Sequence, residues 1–234
     1  MRKTPNQGTS HCSKKTIFFD LDGTLIDHFT TIHRSVAYAQ RQLGLPESSY
    51  DKVRATVGGS TPVTLERLLG KDHVPKALIH FKEHFHSIMF EDVFALPGAS
   101  WILENLKLRG FKLAVFTNKI QTHSNETLAH LKLDRWLDRI IGTGEIPYRK
   151  PQPEFTYHAL EQMGATIEDS MLIGDSPFDY QTASSVNMDC HLLTTGTHDR
   201  ERLKAETNSN AIYESLYELG AKVFGLEMPR AIAT

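Results

Sequence analysis

The sequence predicts an α/β protein, a doubly wound and mainly parallel sheet with a small all-α domain inserted near its start. Three observations point there. From residue 96 onward, short apolar runs at Phe111–Phe116, Ile140–Gly142, Met171–Ile173 and Cys190–Thr194 alternate with helical stretches, and that rhythm demands crossover connections and a parallel sheet. Several of these runs end in small or polar residues, Thr117-Asn118 and Gly174-Asp175 among them, which suits the carboxyl edge where such sheets keep their chemistry. Between residues 29 and 95 apolar residues instead recur every three or four positions and no convincing strand occurs, which is the signature of packed helices.

The chain begins with Met1–Lys15, a polar stretch expected to be a flexible tail. Thr16–Phe19 is an apolar run that stops at Asp20-Leu21-Asp22-Gly23, a buried strand delivering two carboxylates to its carboxyl end. Two anions so close disfavour each other's ionisation, so a compensating cation or a bound proton is expected beside them. Ile32, Val36, Ala39 and Leu43 then mark one face of a helix that stops at Gly44. A second helix is expected over Ser48–Val57 before Gly58-Gly59 breaks it. Thr61 reads as an N-cap with Pro62 at the first helical position and Leu65, Leu68 and Leu69 inward, the arrangement helix starts favour. Val74–Glu91 places Leu78, Phe81, Phe85, Ile88 and Met89 on one side. Beyond it, helices are expected from Leu96-Pro97-Gly98 to Leu108 and over Glu126–Leu133, Glu154–Met163 and Asp179–Val186. The domains expected are a tail over 1–15, a core of 16–28 and 96–225, a helical cap over 29–95, and a second tail over 226–234.

Composition narrows the function. A chain of 234 residues, 40% hydrophobic and 23% charged, is long enough for one large domain with an insertion. Its formal charge of −2 offers no bulk attraction to nucleic acid or to an anionic membrane, and no apolar run is long enough to span one. Cys12 and Cys190 have no CxxC partner, and they are expected to be reduced thiols in a cytoplasmic protein.

Past the first strand, three further signals fall at strand ends or beside them. These are Thr117-Asn118, then Lys150 within Arg149-Lys150-Pro151-Gln152-Pro153, then Gly174-Asp175-Ser176-Pro177-Phe178-Asp179. Each alone is ordinary turn or cap chemistry. In this order behind Asp20-Leu21-Asp22-Gly23-Thr24, they resemble the four motifs of the haloacid dehalogenase-like superfamily of phosphatases. The resemblance runs from about Thr16 to Leu203, and the helical cap after the first motif is similar to that of its phosphoglycolate phosphatase-like subgroup.

That resemblance implies a Rossmann-like core and a magnesium-dependent phosphatase acting through an aspartyl-phosphate. Asp20 would be the nucleophile and Asp22 the acid and base. Mg2+ would be held by the Asp20 carboxylate, the Asp22 backbone carbonyl and Asp175, with Asp179 supporting them from behind. The Thr117 hydroxyl, the Asn118 backbone and the Lys150 ammonium would hold the phosphoryl oxygens. The expected partner is a small phosphorylated metabolite, phosphoglycolate first, for an enzyme acting as a monomer or homodimer. Gly58-Gly59-Ser60-Thr61 is either a cap loop that contacts substrate or a plain turn. An acid at Asp22 argues against the dehalogenating and phosphonate-cleaving branches, which lack one there.

Rival readings remain from other classes. The hexose-phosphate mutase branch carries a cap histidine where this chain has Ile32, with His33 one residue away. A non-catalytic phosphate-binding protein could use the same fold. His80-Phe81-Lys82-Glu83-His84 fits a zinc-protease spacing, but the chain has 12 histidines and that pattern leaves the acidic strand ends unexplained. His28, just past the first motif, is an alternative proton source to Asp22.

Overall fold

The computed structural model describes residues 13–229. Most of the expected N-terminal tail, Cys12 with it, and the last residues of the expected C-terminal tail lie outside the described residues. In chain order, β1 is Thr16–Phe19, β2 Ile26–Asp27, α1 Phe29–Gln42, α2 Tyr50–Arg54, α3 Thr61–Leu69, α4 Val74–Ile88 and β3 Phe94–Ala95. There follow α5 Ala99–Leu108, β4 Lys112–Ile120, α6 Gln121–His130, β5 Arg139–Thr143, α7 Pro153–Met163, β6 Ser170–Gly174 and α8 Pro177–Ser184. The chain closes with β7 Asp189–Leu193, α9 Arg200–Glu206, β8 Ile212–Tyr213 and α10 Leu216–Phe224.

Six strands form one sheet in the order β5-β4-β1-β6-β7-β8, and every neighbouring pair is parallel. This is the doubly wound, Rossmann-like fold. β1 lies between β4 and β6, so the chain leaves it in both directions along the sheet. The carboxyl end of β1 is therefore the switch point where a crevice opens. Alternation along β1 divides its side chains between two cores. Ile17 and Phe19 join α5, α6 and α10 on one face. Phe18 joins Phe116 and Leu172 against α7 and α8 on the other. Helices on both faces explain why the central strands read as continuous apolar runs.

Helices α1–α4 bury their own core around Val36, Leu65, Phe81 and Phe85. The chain enters and leaves this cap through β2 and β3, which pair antiparallel as Ile26↔Ala95 and Asp27↔Phe94. That ribbon was not expected, since two residues per strand are too few to show alternation. Ser60, not Thr61, is the N-cap of α3, with Pro62 in its first turn.

Two core elements also differ from expectation. β4 runs on through Thr117-Asn118 to Ile120, its register with β5 shifting between Phe116 and Ile120. α6 then starts at Gln121, its inner face carried by Ser124, Thr127 and Leu128. Small polar residues on a buried face leave little apolar periodicity, so the helix start is hidden in the sequence. Beyond the last expected strand, β8 and α10 complete the sheet edge and one face. Leu226 is buried in the same core, so the chain stays packed past the start of the expected C-terminal tail.

Candidate active site

The carboxyl ends of β1, β4 and β6 meet beneath the cap. Asp20 directly follows β1, its backbone N–H donating to the Ile173 carbonyl at 2.8 Å. β6 ends at Gly174, and Asp175 follows. Three carboxylates, Asp20, Asp175 and Asp179, place oxygens within 4.8 Å of one another, and all three are buried. Lys150 reaches into them: its ammonium donates to Asp20 Oδ1 at 2.7 Å and to Asp179 Oδ1 at 2.6 Å.

Three carboxylates around one ammonium leave net negative charge in a dry site. Burial pushes Asp20 up from 3.8 to about 6 against the pull of Lys150, with Asp179 and Asp22 adding repulsion. Asp175 is held well above the usual carboxylate range by burial and by Asp179 and Asp20. Burial alone would lower the Lys150 ammonium, but Asp179 and Asp20 outweigh it and raise it above its ordinary value. Surplus charge on hard oxygen donors fits a divalent cation such as Mg2+. The oxygens are not equally free. Asp179 Oδ2 accepts from the Ser176 hydroxyl and from the backbone of Asp175 and Ser176, closing a capping box on α8. With its other oxygen on Lys150, Asp179 braces the site, and Asp20 and Asp175 are the carboxylates that could face a cation.

Asp175 Oδ2 accepts from both the backbone N–H and the hydroxyl of Thr197, at 2.8 and 3.1 Å. The backbone crowds it from two sides. A Cβ at Gly23, whose φ is +92°, or at Gly196 would run into the Asp175 carboxylate. Sequence reasoning missed Thr197 and Gly196, because no motif marks the turn after β7.

Asp22 faces a different way. Lys119 Nζ lies 3.1 Å from both of its carboxylate oxygens, so each carboxylate of the opening motif has its own lysine. The same ammonium sits 3.2 Å from His28 Nδ1 and 4.8 Å above the Phe85 ring. His28 Nε2 is 2.8 Å from the Met89 carbonyl. A carbonyl can only accept, so Nε2 donates and Nδ1 accepts from Lys119. Burial and Lys119 bring His28 down to about 2, which keeps it neutral. His28 therefore anchors Lys119 and has no proton facing the site. Lys119 was also missed, although it stands directly after Thr117-Asn118.

Thr117 and Asn118 are both buried at the end of β4. The Thr117 hydroxyl accepts from the Lys119 backbone N–H at 3.2 Å. The Asn118 amide accepts from the Lys150 backbone N–H at 2.8 Å and donates to the Lys150 carbonyl, fixing the lysine's backbone. It also donates to the Gly58 carbonyl at 3.2 Å, which ties the cap loop to the core. Gly59 and Thr61 line a cavity of about 50 Å3 with Asp22, Lys119 and apolar cap residues. Ser60 opens instead on a neighbouring groove of about 420 Å3, and its buried hydroxyl has no partner among the described residues. Arg54 clasps the cap from its other end, donating to the Gly196 carbonyl at 2.8 Å.

Ile32 lines the small cavity, whereas His33 turns away to the Ser48 carbonyl at 3.0 Å. His84 stacks on Tyr38 and meets the Ser35 hydroxyl. Among the described residues Asp20, Asp175 and Asp179 form the one group arranged to hold a metal, so the His80–His84 spacing has gathered no further ligand. Cys190 is a free thiol, and no described helix is long and apolar enough to cross a membrane.

A parallel sheet with a carboxylate and lysine cluster at its switch point, roofed by a helical cap, defines the class: a capped α/β phosphatase, a phosphoric monoester hydrolase. Residues 17–193 match the family described as haloacid dehalogenase-like hydrolase, and the chain belongs to that family. It is 32% identical over 215 residues to a phosphoglycolate phosphatase of Pseudomonas syringae pv. syringae, covering 88% of this chain and 78% of the relative. It is 33% identical over 168 residues to the phosphoglycolate phosphatase of Aquifex aeolicus, covering 71% and 78%. The crystal structure of a hydrolase from Pseudomonas syringae shares the fold, with a TM-score of 0.78 at 22% identity over 92% of this chain and all of that one.

Proposed function

We propose that the chain is a magnesium-dependent phosphatase that hydrolyses a small phosphomonoester through an aspartyl-phosphate on Asp20, with phosphoglycolate the leading substrate. The observation that carries this reading is the buried Asp20–Lys150 pair beside Asp175, with Asp22 two residues further on in the lining of a small cavity.

Phosphoryl transfer asks for in-line positioning and for charge stabilisation on the equatorial oxygens. The Asp20 carboxylate attacks phosphorus, the ester P–O bond breaks, and Asp22 gives its proton to the departing oxygen. Asp22 then takes a proton from water, the hydroxyl attacks phosphorus, and phosphate leaves with Asp20 restored. Acid and base help of this kind is typically worth ~10²–10⁴-fold. Lys150, held between Asp20 and Asp179, keeps the attacking oxygen aimed and offsets the repulsion between carboxylate and phosphate. Thr117 and the Asn118 backbone supply further donors beside it. Asp20, Asp175 and the Asp22 carbonyl would hold Mg2+, which would supply the charge that lets a dianionic phosphate approach an anionic nucleophile.

The hydrolase reading is favoured over the mutase by Ile32, an apolar side chain at the cavity where the mutase branch carries its histidine. The cap loop Gly58–Thr61 contributes the roof of the substrate site on this reading. Two cysteines in 234 residues suit a reducing compartment, and we assign the activity to the cytoplasm.

The test is phosphate release from a panel of phosphomonoesters with Mg2+ and with EDTA. Magnesium-dependent turnover led by phosphoglycolate is expected. Tight phosphate binding with no turnover of any ester would favour the non-catalytic alternative.

A further inference from the structure

The Asp22 cavity has a size and a charge that restrict what can leave. Its volume is about 50 Å3, and a water requires about 10–15 Å3 on the same measure, so it takes a group of about four non-hydrogen atoms. A hexose or a nucleoside brings more than twice that. The walls are mainly apolar, with Ile32, Leu65, Phe81 and Phe85 among them, and among the described residues Lys119 is the single lysine or arginine that lines it. Burial and the Lys119 charge bring His123, the one histidine there, down to about 4, so it adds no second cation.

We propose that Lys119 is the residue that selects the leaving group, by binding a carboxylate one carbon removed from the departing oxygen. The inference rests on the phosphatase reading above. The departing oxygen must come within hydrogen-bond reach of the Asp22 carboxyl for proton transfer. Lys119 Nζ stands 3.1 Å from both Asp22 oxygens, so an acceptor three bonds beyond that oxygen falls beside the ammonium. The lysine is held there by the chain's own groups. His28 Nδ1 accepts one of its protons, and the Phe85 ring supports it from below. An ammonium so desolvated favours a charged acceptor over a neutral one. The carboxylate and methylene of a 2-phosphonooxy carboxylate fill the volume with the four atoms it accepts. The substrate class is therefore the phosphate esters of short 2-hydroxy acids.

The experiment compares phosphoglycolate with its neutral isostere, phosphoglycolamide, in the full chain with Mg2+. The wild type should favour the carboxylate, and Lys119→Met should lower the ratio of the two kcat/KM values about tenfold to a hundredfold, the range of one charge-assisted hydrogen bond. Both esters share whatever loss comes through Asp22, so the ratio isolates recognition, and the extra loss for phosphoglycolate should fall on KM. Lys119→Arg should recover most of the preference. An unchanged ratio in Lys119→Met, or a wild type indifferent to the carboxylate, overturns the assignment and leaves Lys119 as a partner of Asp22 only. If the wild type turns over neither ester, the phosphoglycolate reading falls. Calorimetric affinities of the two esters for Asp20→Asn, with and without Lys119→Met, still decide on Lys119, because equal weakening of both would refute it.

Discussion

Asp20→Asn should make the magnesium-free protein more stable at neutral pH while abolishing turnover. Burial raises the Asp20 carboxyl from 3.8 to about 6 in the folded chain, so ionising it costs more in the folded than in the unfolded state. At about 1.36 kcal/mol per pH unit, the folded state gives up about 3 kcal/mol above pH 6. The sign follows from proton binding. Below about pH 4 the group is protonated in both states and costs nothing. Between pH 4 and 6 the folded chain holds a proton the unfolded chain has lost, and stability falls as pH rises. An amide removes that charge and still offers Lys150 an oxygen, and Lys150 keeps Asp179 at 2.6 Å. Thermal melts in EDTA at pH 4 and pH 7.5 provide the assay. At ~2–4 °C per kcal/mol for a chain of this size, the variant should melt ~6–12 °C above wild type at pH 7.5 and close to it at pH 4. A variant that melts lower at pH 7.5, or gains equally at both pH values, would refute the reasoning.

Two other perturbations separate the remaining parts of the site. Asp22→Asn should lose far more rate with phosphoglycolate than with p-nitrophenyl phosphate, whose departing oxygen needs no proton, and should show a product burst near one per enzyme with the aryl ester as dephosphorylation stalls. Equal losses and no burst would make Asp22 structural. Gly196→Ala places a methyl against the Asp175 carboxylate, so half-maximal activity should need at least about tenfold more magnesium, in line with the effect of disturbing a ligand's support. An unchanged requirement would remove Asp175 from the metal site.

Much of this architecture was legible in the chain, for identifiable reasons. β1, β6 and the helix α7 announce themselves because burial on both faces, or on one stripe, demands apolar residues at a readable period. Asp20, Lys150, Asp175 and Asp179 stand at ends of such elements, so their convergence followed from topology. What stayed hidden depends on contacts across the fold. Lys119 looks like one more surface lysine until β4 is seen to extend past it and aim it at Asp22 from 97 positions away. Thr197 touches Asp175 only because β7 lies beside β6. His28 sits one helix start from the motif, yet the Met89 carbonyl fixes its tautomer from the far end of the cap.

The central claim is that phosphorus is transferred to Asp20, and the most direct measurement traps it there. Wild-type protein mixed with Mg2+ and a substoichiometric ester, quenched in acid within the first turnover and treated with borohydride, would have any acyl phosphate reduced to an alcohol. Peptide mass spectrometry should then find the side chain at position 20 converted to homoserine in a fraction that rises and decays with product release. Catalytic turnover with position 20 unmodified throughout, or with the reduced carboxyl at Asp22 or Asp175 instead, would contradict the account.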